Sequence, residues 1–270
     1  MLQGIERVHA EEALSVARMM DMNCIIFSKN RAMQLAALLE SIQRNAPQWQ
    51  DYMVIWNCTD YDFRMAYWDL QKEYPPFRFC LQSNFREQVL ALARSPREYI
   101  SFLVDDDMFY RPVPEFTVDP GGIFAPRLGR NCTYCYMGDR SQVVPPELWR
   151  DATDLPGNDF DCTFSLDGHV YHTEDVLPQL KQVDFGTPNQ LEAALSSVIR
   201  YRMHWHEHSS LVGIPHNSVG ELKTNRFGNG SAEELNRMFL DGWRIDLSEM
   251  DFSDVHGCHQ EIGLRFKRSE

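Results

Sequence analysis

Between residues 24 and 104, four short apolar runs alternate with three segments of helical period, and this alternation restricts the fold more than any other feature of the chain. The runs are 24–27 (CIIF), 52–56 (YMVIW), 77–81 (FRFCL) and 99–104 (YISFLV); the helical segments are 33–42, 63–73 and 87–94. Pro75-Pro76 and Ser95-Pro96 break the helices before the next run begins. Strand-helix-strand units of this length require a mainly parallel sheet with right-handed crossovers and helices on both faces, so the expected class is α/β. Ligands of such sheets bind past the carboxyl ends of the strands. The segments found there are Ser28-Lys29-Asn30-Arg31, Asn57-Cys58-Thr59-Asp60, Gln82-Ser83-Asn84-Phe85-Arg86 and Asp105-Asp106-Asp107, all rich in polar groups.

The last of these carries the sharpest chemical signal. Three like charges at the exit of an apolar strand repel one another, and the arrangement is cheap only when a cation, usually divalent, sits among them. A metal site holding Mn2+ or Mg2+ at a strand end is the expectation. The wider charge balance agrees with a metal-bridged phosphate: 39 acidic against 26 basic residues give a formal net charge of −13. Such a surface repels nucleic acid and anionic lipid, so neither is an expected partner.

The hydrophobic fraction of 43% suits a globular core. Seven cysteines, an odd number with several inside apolar runs, read as buried thiols of a reducing compartment. No run approaches a membrane span and no signal peptide opens the chain, so a cytoplasmic protein is expected, with at most peripheral membrane contact. Residues 1–22 have the spacing of a helical leader.

After Tyr110 prolines and glycines punctuate short apolar pieces, including 122–125 and 133–137. Thr187-Pro188 opens a further helix that carries Glu192, residues 211–214 form a late strand ending in Pro215-His216-Asn217, and Ser231 to Glu234 has the capping-box spacing of a last helix.

The pattern "IIFSKNRAMQLAALLESI", then "FREQVLALARSPREYISFLVDDDMF", then "TPNQLEAAL" resembles the nucleotide-sugar glycosyltransferases of the GT-A fold, family 2-like, whose Asp-x-Asp motif ends a strand of the nucleotide-binding half. The resemblance implies one GT-A-like domain: residues 23–110 as the nucleotide-sugar-binding half and 111–270 as an acceptor-binding extension. It implies a transferase moving a sugar from a UDP- or GDP-sugar to a hydroxyl acceptor such as a glycan. Ser28, Lys29, Asn30 and Arg31 would face the nucleotide, Asp60 the base, and Asn84 and Arg86 the ribose and sugar. Asp105 would face the ribose or sugar, Asp107 would bind the cation, and Asp106 would lie close to both; the metal set is Asp105, Asp107 and His216. Glu192 would be the base that deprotonates the acceptor, with Asp161 and Asp167 as competing acids. Asn217, Lys223 and Arg226 could reach the diphosphate.

Two other classes compete. One is a non-catalytic nucleotide- or carbohydrate-binding protein of the same fold. The other is a zinc-stabilised interaction module built on Cys132-x-x-Cys135, the trio His204, His206 and His208, and His256-Gly-Cys258-His259. Dinucleotide, Walker A and Gly-x-Ser-x-Gly motifs are absent. The tryptophans, including Trp56, Trp68, Trp149, Trp205 and Trp243, read best as core, with Trp149 and Trp205 the two that could still stack on an acceptor sugar.

Overall fold

The computed structural model describes residues 20–151, 157–219 and 226–269. The expected leader, apart from its last three residues, and Lys223 lie outside them.

The first half follows the alternation. β1 (Met22–Lys29), α1 (Ala32–Asn45), β2 (Tyr52–Asn57), α2 (Tyr61–Glu73), β3 (Arg78–Leu81), α3 (Phe85–Ala93) and β4 (Tyr99–Val104) succeed one another. These strands pair in parallel in the order β3-β2-β1-β4. The second half adds β5 (Asp107–Phe109), β6 (Gly122–Phe124), β7 (Tyr134–Cys135), β8 (Arg140–Ser141), β9 (Trp149–Arg150), a 3-10 turn at Asp159–Asp161, β10 (Val170–His172), α4 (Thr173–Gln182), α5 (Pro188–Val198), β11 (Arg202–His204), β12 (Leu211–Gly213), α6 (Ala232–Leu240), β13 (Trp243–Ile245) and β14 (Phe266–Arg268). Four of these complete one eight-stranded sheet, β3-β2-β1-β4-β10-β6-β11-β9. Within it β10 and β9 run against the other strands.

Both faces of the sheet are covered, which is why its central strands read as continuous apolar runs and not as alternating ones. Cys24 and Ile26 of β1 pack with Leu35, Leu39 and Phe239 on the face of α1 and α6, whereas Ile25 and Phe27 pack with Val89, Val176 and Leu191 on the face of α3, α4 and α5. The expected α/β class with a mainly parallel sheet is the one formed.

The order 3-2-1-4 matters for function. The chain leaves β1 towards β2 on one side and returns to β4 on the other, so the connections after β1 and β4 diverge and open a crevice between their carboxyl ends. Asn30 and Arg31 follow β1 there, and the acidic triplet follows β4. Four helix starts are capped by the side chains of Asp60, Asn84, Thr187 and Ser231. The start of α1, beside the crevice, has no side-chain cap. No helix among the described residues is long and apolar enough to cross a membrane.

Candidate active site

Arg31 organises the crevice from its β1 side. Asn30 turns the chain with a positive φ of 56°, which asparagine tolerates, and exchanges two hydrogen bonds of 2.9 Å with Thr59. Arg31 is then buried, with Nη1 2.9 Å from Asp105 Oδ1 and 3.0 Å from Asp106 Oδ2. Its Nε donates to Asn217 Oδ1 at 2.8 Å and its Nη2 to the Asn217 carbonyl. The planar fork thus serves three residues on two segments, which a lysine ammonium cannot do. Burial opposes the guanidinium charge, but Asp106 and Asp105 outweigh it and keep Arg31 protonated. Asp105 also accepts from Ser28 Oγ at 2.8 Å and from the Lys29 N–H at 3.0 Å. Ser28 in turn bonds the buried Tyr67 hydroxyl at 2.5 Å. Burial pushes the Asp105 carboxyl up and Arg31 pulls it back.

A second cluster meets the first at Asp107. Because β10 is antiparallel to β4, the segment that precedes it returns to the ligand end of the sheet. Gly168 makes that return possible: its φ is 77°, and a Cβ there would lie 2.5 Å from Leu211 Cδ2. Asp167 Oδ2 consequently lies 2.9 Å from Arg127 Nη1, 2.9 Å from Ser165 Oγ and 3.3 Å from His259 Nε2. Burial opposes the Asp167 charge, yet His259, Arg127 and Ser165 together hold it well below the usual carboxylate range.

Asp107 is fully enclosed. One oxygen accepts the Val104 N–H at 3.0 Å and the other, Oδ1, has no partner among the described residues. Burial, then the nearby Asp167 charge, push Asp107 far up, so it keeps its proton. Two neighbouring acids are therefore driven apart, one held ionised by its donors and the other held neutral, a division typical of functional sites. Glu192 Oε1 accepts the Leu166 N–H at 3.1 Å and lies 3.3 Å from Ser165 Oγ; burial and Asp167 raise it. On the far side of Arg127, His169 Nε2 accepts from Arg127 Nε at 3.1 Å and is held neutral by burial and by that guanidinium.

The structure brings Ser28, Lys29, Arg31, Asp105 and Asp106 into one cluster and Asp107, Asp167 and Glu192 into the next. Other expected residues lie outside these two clusters and make contacts of their own. Asp60 and Asn84 cap helices, and Arg86 donates to the Lys181 and Val183 carbonyls at the end of α4. Asp161 completes a capping box and pairs with Arg150 at 2.7 Å. His216 packs its ring on Gly230, and Arg226 pairs with Asp139. The zinc constellation does not close: Cys132 and Cys258 both donate to the Arg127 carbonyl, at 3.3 and 3.4 Å, while Cys135 lies against Asp159. Among the described residues no three His, Cys, Asp or Glu side chains converge on a metal-binding point.

Arg127, Ser165, Tyr67 and the role of His259 were not expected. Arg127 sits in a stretch with no motif, and His259 stood out only as part of the zinc pattern. Recognising their place requires knowing that β10 reverses and that residue 259 returns to β12, which no local pattern encodes.

No protein-family model matches the chain, and no curated protein matches it. Among solved structures, the apo bifunctional glycosyltransferase WbbM aligns at 14% identity over 68% of this chain, with a TM-score of 0.40. This chain spans 38% of that protein's length. A cytidylyltransferase from Leptospira borgpetersenii serovar Hardjo-bovis aligns at 11% identity over 77% of this chain and 80% of its own, with a TM-score of 0.38. The inositol-1-phosphate CTP transferase from T. maritima aligns at 10% identity over 83% of this chain and 98% of its own, also at 0.38. The fold assignment above rests on the strand order and not on these likenesses.

Proposed function

We propose that the protein is a glycosyltransferase that moves a sugar from a nucleoside diphosphate sugar, UDP- or GDP-linked, to a hydroxyl acceptor of a glycan. The observation that carries this reading is the juxtaposition, at the switch point of the sheet, of the Arg31–Asp105–Asp106 cluster with the oppositely perturbed acids Asp107 and Asp167. The uncapped start of α1 adds backbone N–H groups and the positive end of a helix dipole, a suitable neighbour for a diphosphate. Nucleotidyl transfer is less well supported. The turn after β1 contains no glycine to admit a triphosphate, and its arginine is committed to two carboxylates.

The divalent cation implied by the sequence does not fit the trio Asp105, Asp107 and His216. Both oxygens of Asp105 are engaged by protein donors, Asp107 is fully enclosed, and among the described residues the three do not converge. Magnesium and its like are commonly held by only one or two carboxylates together with substrate phosphates. Asp106, whose side chain is 20% exposed and gives only Oδ2 to Arg31, fits that smaller role. When bound, the cation would offset the negative charge that develops on the leaving diphosphate.

In this reading Arg31 fixes the carboxyl groups that meet the donor, and the enclosed protonated Asp107 adds no further negative charge beside the diphosphate. Arg127 and Ser165 hold the 165–169 segment against the crevice. The reading is tested by thermal unfolding with UDP, GDP, CDP and CTP, each with and without Mn2+. Stabilisation by a diphosphate of uridine or guanosine supports it, because a ligand selective for the folded state raises Tm. Stabilisation by CTP alone favours nucleotidyl transfer.

A further inference from the structure

Deprotonating an acceptor hydroxyl requires a group that is unprotonated, reachable and close to neutral in pKa. The three expected carboxylates are poorly suited to this: Asp161 is taken up by a capping box and an ion pair with Arg150. Asp167 is held ionised by three donors on one oxygen, which lowers its basicity, and Glu192 uses its carboxylate to fasten the backbone at Leu166. Next to them stands an imidazole. His259 is carried to the strand end by the pairing of its segment with β12, where the Gly213 N–H donates to the Cys258 carbonyl at 2.8 Å and the Gln260 N–H to the Gly213 carbonyl at 2.9 Å. Its ring occupies the space left by the absent side chain of Gly213, whose Cβ would lie 2.5 Å from His259 Cδ2. Gly213 is in turn the register partner of Asp107, and the Ile214 N–H donates to the Asp106 carbonyl at 2.8 Å. His259 therefore lies one strand away from the acidic triplet.

We propose that His259 accepts the proton of the incoming hydroxyl and that Asp167 is the positioning residue that fixes its tautomer; this assignment rests on the glycosyltransferase reading above. Nε2 faces Asp167 Oδ2 at 3.3 Å, so the neutral ring carries its hydrogen there. Nδ1 is not engaged in that contact and belongs to a side chain that is 16% exposed. In the transfer step the acceptor O–H bond breaks and its proton moves to Nδ1. The oxygen's electron pair forms the bond to the anomeric carbon, and the bond from that carbon to the phosphate oxygen breaks with its pair leaving on the diphosphate. Asp167 stabilises the imidazolium that results, and the proton is then lost to water. The charged groups facing the ring are Asp167 from the segment before β10, Arg127 from the segment after β6, Asp159 from the 3-10 turn and Glu192 from α5. Burial and Arg127 disfavour the charged ring, and Asp167 outweighs them, so its pKa lies above that of an ordinary histidine.

The sign of the pH dependence follows. Below that raised pKa the ring is already protonated and cannot accept, so turnover should rise with pH through an acid limb placed above the usual histidine value.

Two measurements test the assignment. The first is NMR titration of the full chain labelled with 13C-histidine. Asp167→Asn should shift the His259 titration to lower pH, and an unshifted titration overturns the positioning role. The second is the pH profile of nucleoside diphosphate release from UDP-glucose, UDP-galactose and GDP-mannose with a mixed glycan acceptor. His259→Gln should lower turnover about 100-fold and remove the acid limb while leaving UDP or GDP binding intact. Asp167→Asn should move the limb to lower pH, and Glu192→Gln should keep it in place. Retention of the limb in folded His259→Gln overturns the assignment alone. If wild type releases no nucleoside diphosphate from any donor, the glycosyltransferase reading falls and the assignment with it.

Discussion

Asp107 and Asp167 are neighbouring acids of the same type, and substituting each with asparagine should have opposite consequences. Asp167 is ionised and accepts from Arg127 and Ser165 at 2.9 Å and His259 at 3.3 Å. Asparagine preserves shape and one acceptor but leaves the buried Arg127 guanidinium uncompensated. Removing one member of a buried ion pair costs about 3–5 kcal/mol, a large share of the ~5–15 kcal/mol that holds a domain folded. Asp107 is already neutral when folded, so Asp107→Asn exchanges one neutral group for another and should change stability by less than about 1 kcal/mol at a pH near or below 3.8, where the unfolded carboxyl is protonated as well. The linkage signs differ as well. The folded-state pKa of Asp167 is depressed, so its contribution is present above the unfolded value near 3.8 and is lost as pH falls below it. That of Asp107 is raised, so wild type loses stability as pH climbs from 3.8 towards the folded value, and Asp107→Asn removes that loss. Urea unfolding followed by tryptophan fluorescence between pH 4.5 and 8 reads both effects. The Asp167→Asn deficit should be present throughout this range, and Asp107→Asn should gain on wild type as pH rises. Equal deficits at neutral pH, or an Asp107→Asn deficit that grows with pH, would refute the division of charge.

Gly168→Ala should destabilise the fold by roughly 1–3 kcal/mol, because a left-handed φ of 77° is combined with a Cβ 2.5 Å from Leu211; denaturant unfolding measures this. Asp106→Asn should weaken nucleoside diphosphate binding at least tenfold in the presence of Mn2+ while leaving metal-free binding within about twofold, as read by isothermal titration calorimetry; equal weakening in both conditions would remove Asp106 from the cation site. Chelators of zinc should leave Tm within about 2 °C of its starting value, since Cys132 and Cys258 are thiols bonded to the Arg127 carbonyl; a large fall would restore the zinc-module reading.

The half of the sheet that binds nucleotide in this reading was legible because its signals are local. Runs such as 24–27 and 99–104 are apolar throughout since both faces of their strands are covered, and the helices between them show a 3.6-residue period. Ser28, Arg31, Asp105 and Asp106 were singled out as residues just past strands on either side of the switch point, and the fold joins them in one hydrogen-bonded cluster. The second cluster was only partly legible. Asp167 and Glu192 stood out as acids near turn or helix-start signals, but their neighbours Arg127 and His259 are brought in by pairings between β10 and β4 and between residue 259 and Gly213 that span much of the chain. Asp60, Asn84 and Asp161 show the converse difficulty. An acid or amide at a helix start has the same sequence signature whether it caps the helix or meets a ligand, and here each caps. The pattern behind the metal expectation is ambiguous in a further way: a strand-end carboxylate can be neutralised by a buried guanidinium as well as by a cation, and Arg31 is 74 residues from Asp105.

The most direct test of the account is to incubate the protein with UDP- and GDP-sugars, and separately with CTP, in the presence of a glycan acceptor mixture and Mn2+, and to identify the phosphorylated product by chromatography. Glycosyl transfer releases a nucleoside diphosphate in proportion to acceptor modified, with turnover reduced in Asp167→Asn and in His259→Gln. Release of pyrophosphate from CTP without any nucleoside diphosphate from the sugar donors would contradict it.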